Sequence, residues 1–448
     1  MLIPIRFKIA GLLWLMMTIA MMDRVNISIT APVIMQQAGW GEELFGIVFS
    51  AFLVGYTIFQ TSAGIAADRW SGRAVLVIAM LGWSLFTGLT PLFVTSFYLF
   101  LGMRFLVGAF ESATAPVMAG LNAKWFPQKE FATAQMVGIA GAMVGQLIAF
   151  PLATWILIHY SWPTVFYAFA LPGVLWAAIW LYYSANTPRE HASVTPAELE
   201  YIERERLAQS LGDGGKDRTL SFWMLLRSPG ILVLALSYLF WTYGGWIMVA
   251  WLPTYLVKAR HYSLQQMGWV GMLPTGAGAI GIVLSGVISD YLLRRGRSLR
   301  FSRQGFPAAA IALAAPLVAI AVSVESPHHA VAFLVIAQLI NFWGQSGFWS
   351  TATVLYPGQV AAATAIMNTG GSLGGIFGPL VAGFLIAKTG NWALPFYTVA
   401  ALDLLAASLL YWGVRIKLAQ PSPQDMLAVG SGRALTSEML CDESPSGQ

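Results

Sequence analysis

Five ionisable side chains stand inside long apolar stretches of this 448-residue chain: Asp23, Arg24, Arg104, Glu111 and Asp403. A charge at the centre of a bilayer costs about 2.5–3.5 kcal/mol on insertion scales, so by default such residues face a protein interior and are functional. Arg104 and Glu111 are seven positions apart. At 3.6 residues per turn they lie about 20° apart on one helix face and roughly 10 Å apart along it. Gly108 falls between them and leaves room. Asp23 and Arg24 are adjacent and point about 100° apart. An arginine offers a permanently charged planar fork that matches a carboxylate. A carboxyl withdrawn from water loses part of its preference for the charged form and can carry a proton near neutral pH. These types and spacings predict a polar site in which Arg24 and Arg104 hold an anion's carboxylate while Asp23 and Glu111 bind and release protons. A proton on either acid would free the nearby arginine. The static alternative is an ion-pair network, Asp23 with Arg104 or Arg24 with Glu111, that only ties two helices together. Asp403 has no partner visible in the sequence. It is read as structural, bonded to a neighbouring helix or placed at the cytoplasmic edge.

The elements that must position these residues are membrane helices. Side chains are 57% hydrophobic and only 10% charged, against about 25% charged in soluble domains. A soluble multidomain enzyme, a disordered chain, a collagen and a coiled coil are all excluded. A bilayer core needs about 20 apolar residues in a helix. Twelve stretches qualify: Ile9–Thr30, Leu44–Ala67, Ala74–Val94, Phe97–Leu121, Ala132–Ile158, Thr164–Ser184, Ile231–Val257, Met267–Leu293, Gly305–Val324, Ala330–Leu355, Val360–Ala387 and Ala393–Val414. The runs are too long, and too uniform in polarity, for barrel strands. The first follows Arg6 and Lys8 but is too long for a signal peptide, so it reads as an uncleaved span.

Outside the spans, lysine and arginine gather at the N-terminus, in loops 2–3, 4–5, 6–7 and 8–9, and in the tail; only Lys258, Arg260 and Lys388 fall on the other side. This bias predicts that both termini are cytoplasmic. It also explains the pI near 9.3 without nucleic acid. The one cysteine, Cys441, lies in a polar tail, so no intrachain disulfide and no cysteine-based metal site is expected.

A polar segment, residues 186–228, separates six spans from six. The domains expected are therefore 1–185, a six-helix bundle; 186–228, a linker; 229–417, a second six-helix bundle; and 418–448, a disordered cytoplasmic tail rich in Ser, Pro and Gly. In the linker, Thr195-Pro196-Ala197-Glu198 has the cap, first-turn proline and third-position acid of a helix start. Leu199, Ile202 and Leu207 would form the apolar side of that short helix. Weak repeats support the division. Gly64 with Asp68, Arg69, Gly72 and Arg73 after span 2 is echoed by Gly286 with Asp290, Arg294, Arg295 and Gly296 after span 8. Gly141 and Gly145 before Pro151 are echoed by Gly371 and Gly375 before Pro379. Glycine at four-residue spacing lets helix backbones approach closely.

Twelve spans in two sets of six, with GIAADRWSGR between spans 2 and 3, resemble the major facilitator superfamily. MMDRVNIS in span 1, GMRFLVGAFESATAP in span 4 and KWFPQKE after it are similar to the anion:cation symporter family within it. Its members carry sugar acids and other organic anions. The resemblance covers the membrane region. It implies an all-α membrane protein of two six-helix bundles with the roles given above for Asp23, Arg24, Arg104 and Glu111. It also places Tyr56, Trp349 and Asn368 at positions of the family's substrate site. Gln345 joins them as a span 10 amide, because buried amides need partners. Asp68 and Arg73 would serve a cytoplasmic gate, with Asp290 and Arg294 as fainter counterparts. Met21 stands where sugar-acid members often have an aromatic residue, and Ala142 where they can have Gln; Gln146 follows one turn later. Fewer hydroxyl-binding groups are thus on offer, and the cargo expected is a sugar acid or similar carboxylate. Trp241, Trp246 and Trp251 read as belt or packing residues.

No phosphate-binding loop is present, the five histidines lack metal-ligand spacing, and no span holds a nucleophile with its base. The expectation is a monomeric carrier in a bacterial inner membrane, not an enzyme, without a cofactor, importing a small organic anion with protons. An anion exchanger or uniporter is the alternative within transport, and a non-transporting ligand sensor the alternative outside it.

Overall fold

In a bilayer every backbone N–H and C=O must be satisfied within the protein, and helices do this internally. The computed structural model describes residues 3–212, 222–356 and 360–414, and among these all regular structure is helical. Span 1 is Ile5–Ala38, span 2 Glu42–Ala66, span 3 Gly72–Leu89, span 5 Gln128–His159 and span 6 Trp162–Tyr183. Span 7 is Pro229–Lys258, span 11 Val360–Thr389 and span 12 Leu394–Ser408. Several of these run beyond the apolar stretch that revealed them; span 1 begins at Ile5 rather than Ile9 and ends at Ala38 rather than Thr30.

The remaining spans are interrupted, each for a local reason. Span 4 is Phe97–Glu111 followed by Thr114–Trp125. Pro116 has no N–H to give the Ser112 carbonyl, so the ladder breaks there. The Ser112 and Thr114 hydroxyls satisfy the Ala109 and Glu111 carbonyls at 2.6 and 2.8 Å. Span 8 is Leu264–Val270 and Met272–Arg294, with Pro274 just past the junction. Span 9 enters through a wide π turn, Phe301–Gly305, before Phe306–Ser323. Span 10 is Pro327–Asn341 and Gln345–Leu355 around the tight turn Phe342–Gly344. By length and hydropathy ten stretches could cross a membrane. The count rises to twelve because Glu42–Phe93 is two spans joined through a π turn at Ala67–Ser71, and because the break in span 4 leaves neither piece long enough alone.

Each half repeats the same joint. In the first, a Cβ on Gly141 or Gly145 of span 5 would lie 2.3 or 2.2 Å from a backbone oxygen of span 1, Trp14 or Thr18. Only glycine allows that approach. The Thr18 hydroxyl then donates to the Gly141 carbonyl at 3.0 Å. In the second half the Thr242 hydroxyl of span 7 donates to the Gly371 carbonyl of span 11, also at 3.0 Å. The glycine echo seen in the sequence is this shared joint.

Among the described residues the halves meet chiefly at the end away from the linker, with Trp246 and Ile376 also packed against the first-half core. There the Lys258 ammonium pairs with Glu42 at 2.6 Å, the Ser50 hydroxyl donates to the Ile376 carbonyl at 2.7 Å, and Gly46 lies against Pro379 and Gly383. Gly268, Gly271 and Gly276 of span 8 lie against Thr154, Phe150 and Leu147 of span 5. One apolar core joins both halves at this end. At the linker end two cores stand apart, one from the first half and one from the second.

The linker helix Pro196–Gly212 starts as its sequence predicts, with Thr195 capping the Glu198 N–H at 3.2 Å. It is docked rather than free. The Glu198 carboxylate accepts from the first N–H groups of span 1, Ile5 and Arg6, at 3.1 Å each. Arg6 bridges Glu198 and Glu130, and Ile202 is fully buried. The Leu207 side chain and residues 415–448, including the expected disordered tail and Cys441, lie outside the described residues.

Candidate functional site

The close approach of spans 2 and 4 builds the site. A Cβ on Gly108 would lie 1.9 Å from the Phe52 carbonyl oxygen, and one on Gly55 2.2 Å from that of Phe105. The contact brings Phe52 between the two arginines, with the Arg24 and Arg104 guanidinium carbons 5.2 and 5.5 Å from its ring centre. The ring face attracts both cations and spaces them.

The two arginines differ in their partners. Arg24 donates through Nε to Glu111 Oε1 at 2.8 Å and through Nη2 to the same oxygen. Its side chain is 14% exposed, whereas Glu111 is wholly buried. The Tyr56 ring lies 5.1 Å from the Arg24 guanidinium and that of Trp246, from span 7, lies 5.8 Å away. Arg104 is buried, and its Nε and Nη1 have no partner. Asp23 is not its mate: Asp23 Oδ2 accepts from the Trp83 indole at 3.1 Å, and Oδ1 has no partner. Of the two static ion pairs considered in the sequence, the structure forms Arg24 with Glu111 and leaves Arg104 and Asp23 unpaired among the described residues. Asp23 and Arg104 still interact through space with each other and with Glu111, so all four sequence-predicted charges share one site.

The remaining expected residues, Gln345, Trp349 and Asn368, lie on spans 10 and 11 of the second half. Trp349 is 42% exposed. Asn368 and Gln345 are half-buried, and Gln345 Oε1 has no partner. Gln146 lines a small cavity between the halves together with Gly245, Met248, Gln338 and Phe342; Ala142 beside it is buried. Trp246 is a residue that the sequence left among packing tryptophans. Its place over Arg24 is at the site, and the Gly244-Gly245 pair before it was the only signal. Trp83 gave none. Trp241 and Trp251 are indeed packing residues, buried and bonded to Asn341 at 2.6 Å and to the Pro379 carbonyl at 3.0 Å; neither sits in a membrane-edge belt. Asp403 accepts from the Asn341 amide at 2.8 Å, a structural bond to a neighbouring helix.

The expected gate residues lie at the linker end, away from this site. Asp68 is exposed on the π turn and lines a cavity of about 170 Å³ with Lys124. Arg73 donates to the Leu181 carbonyl at the end of span 6. Asp290 pairs with Arg303 at 2.8 Å, and Arg294 is exposed.

Comparison with known proteins agrees with this architecture. The sequence profile of the Major Facilitator Superfamily matches residues 13–358. A probable galactarate/D-glucarate transporter of Bacillus subtilis (strain 168) is 30% identical over 95% of this chain and 96% of its own. A probable sulfoacetate transporter of Cupriavidus necator is 30% identical over 89% of this chain and 92% of its own. The crystal structure of a bacterial homologue of the human lysosomal transporter Spinster superposes with a TM-score of 0.75 at 18% identity, covering 93% of this chain and 98% of the other.

Proposed function

The chain belongs to the Major Facilitator Superfamily and is a multi-pass membrane transporter rather than an enzyme; on that premise we propose that it is a proton-coupled symporter importing a small organic anion. The carrying observation is the unequal state of the two arginines. Arg24 is neutralised by Glu111, while Arg104 keeps two unpartnered donors. An incoming carboxylate needs Arg24 as well as Arg104, and protonation of Glu111 supplies it, because a neutral carboxyl no longer holds the guanidinium. Loss of that proton restores the pair and expels the anion. The proton and the anion therefore enter and leave together without a covalent step. Asp23, buried and bonded to Trp83 rather than to an arginine, would carry a second exchangeable proton.

The relatives are named for aldarates and for a sulfonate, which share an anionic head that a fork of N–H donors fits. Tyr56, Trp246, Trp349, Asn368 and Gln345 would contact the rest of the cargo, and Gln146 lies within reach of the same interface. With the basic loops in the cytoplasm, the linker end is the inner face of a bacterial inner membrane, and Asp68, Arg73, Asp290 and Arg294 lie where the inner gate must close. A single chain contains the whole site, as a monomeric carrier requires.

Uptake into proteoliposomes of D-glucarate, galactarate, hexuronates and sulfoacetate, with and without an inward proton gradient, tests the reading. Glu111→Gln should abolish gradient-driven uptake and preserve exchange of labelled for unlabelled anion. Wild-type uptake that ignores the gradient would identify an exchanger or uniporter, and binding without uptake a sensor.

A further inference from the structure

Asp23 points away from the anion's route. It is wholly buried, and its one bond runs to Trp83 on span 3. Spans 1 and 3 run in the same direction, from the linker end to the far end. Following each outward from that bond gives a second set of buried polar groups. On span 1, Asn26 and Thr30 follow Asp23 at offsets of three and seven, which keeps them on one helix face. On span 3 and the tight turn that ends it, Thr87 and Thr90 follow Trp83 at offsets of four and seven, again on one face. All are wholly buried, and Ser84 beside them is 2% exposed.

Their bonding divides them. Thr30 and Thr90 return their hydroxyls to their own helices, to the Asn26 and Phe86 carbonyls at 2.8 and 2.7 Å. The inner members do not. Asp23 Oδ1, both amide atoms of Asn26, the Thr87 hydroxyl and the Ser84 hydroxyl have no partner. Buried polar groups are almost always bonded, to protein or to internal water, and a polar pocket with several such groups is where water is held. Gly173 of span 6 lets that helix lie close against Ser84, where a Cβ would come within 2.1 Å of the hydroxyl oxygen, and so borders these groups on a third side.

We propose that this seam between spans 1, 3 and 6 holds internal water that carries protons to and from Asp23, apart from the anion's path. The inference rests on the symport reading and extends it. The charged groups whose fields reach Asp23 are Glu111 and Arg104, both on span 4; among the described residues the seam itself contains no other charge. Bound water hydrogen-bonded to Oδ1 and to the Asn26 amide relays a proton by exchanging O–H bonds, so no ion enters the apolar core. The self-bonded Thr30 and Thr90 hydroxyls close its far end in this conformation. That closure keeps the seam from short-circuiting the proton gradient while the linker end stands open.

The proton is the ligand, so the test needs no knowledge of the anion. The full-length protein in lipid would be followed by infrared difference spectroscopy through a jump from alkaline to acid pH. A carboxyl band absent from Asp23→Asn is expected, with an internal-water O–H band that shifts in oxygen-18 water. In Asn26→Leu and Thr87→Val the water band should vanish and the carboxyl band should rise roughly tenfold more slowly, as expected for the loss of one buried hydrogen bond. Thr87→Ser should restore both, which a merely structural role would not require. Variants that keep the wild-type water band and rate would overturn the hydrated path alone. A wild type with no band assignable to Asp23 would overturn its proton-carrying role as well.

Discussion

Arg24 and Arg104 flank the same Phe52 ring, but only Arg104 has donors to spare. It is therefore the residue whose geometry, beyond its charge, should matter to the anion. Lysine keeps the charge and loses the planar fork. Arg104→Lys should raise the half-saturating anion concentration roughly 10–100-fold, equivalent to losing one charged hydrogen bond of about 1.5–3 kcal/mol, with little change in maximal rate. An unchanged half-saturation would make Arg104 a structural cation. The four charges were legible in the sequence because a charge within an apolar run is expensive and so stands out. Phe52, Trp83 and Trp246 were not. In a chain with 26 Phe and 18 Trp, type and spacing do not show which ring turns toward a guanidinium; only the packing of spans 1, 2, 3 and 7 does.

At the scale of elements, the site depends on how closely span 4 can lie against span 2. Gly108 is the controlling residue, since an added methyl would meet the Phe52 carbonyl at 1.9 Å. A backbone atom cannot step aside as a flexible side chain can, so the helices must separate. Overpacking of this kind costs about 1–3 kcal/mol. Gly108→Ala should lower the melting temperature in detergent and also weaken anion binding, because Phe52 would move from between the arginines. Gly102→Ala, on the same helix with open space around it, should change neither. Equal effects of the two substitutions would show that helix propensity, not interhelical contact, is being measured. Helix number and order were readable from hydropathy, since a membrane sets the length of every span. The breaks were less so. Pro116 and Pro274 lie at two of them, in spans read from the sequence as continuous, but Phe342–Gly344 contains no proline, and its tight turn comes from packing around Gly344, where a Cβ would crowd Ile311.

For the whole molecule, the two halves share a core at one end and have separate cores at the other. Alternating access by rocking two bundles about a central site requires the joined end to part. The contacts there suit that task. Besides the shared apolar core, where Phe49 meets Trp251 at 5.2 Å, they include a partly exposed ion pair, a hydroxyl–carbonyl bond and small-residue surfaces. An exposed pair contributes only about 0–1 kcal/mol, so its loss adds little to the cost of parting the apolar surfaces. Glu42 and Lys258 mark its rim. With Cys441 replaced by serine, Glu42→Cys and Lys258→Cys would carry the only thiols, on surface positions that tolerate change. A short reducible cross-linker between them should stop uptake in the cross-linked fraction, and reduction should restore it. Either single cysteine treated alike should transport normally, which separates locking from modification. Uptake through the locked protein at the free rate would mean that the far end never opens and that the anion crosses by another route. Arrest means that opening at Glu42 and Lys258 is a step of every cycle, and the Arg24–Glu111 pair is then remade after each turnover rather than permanent.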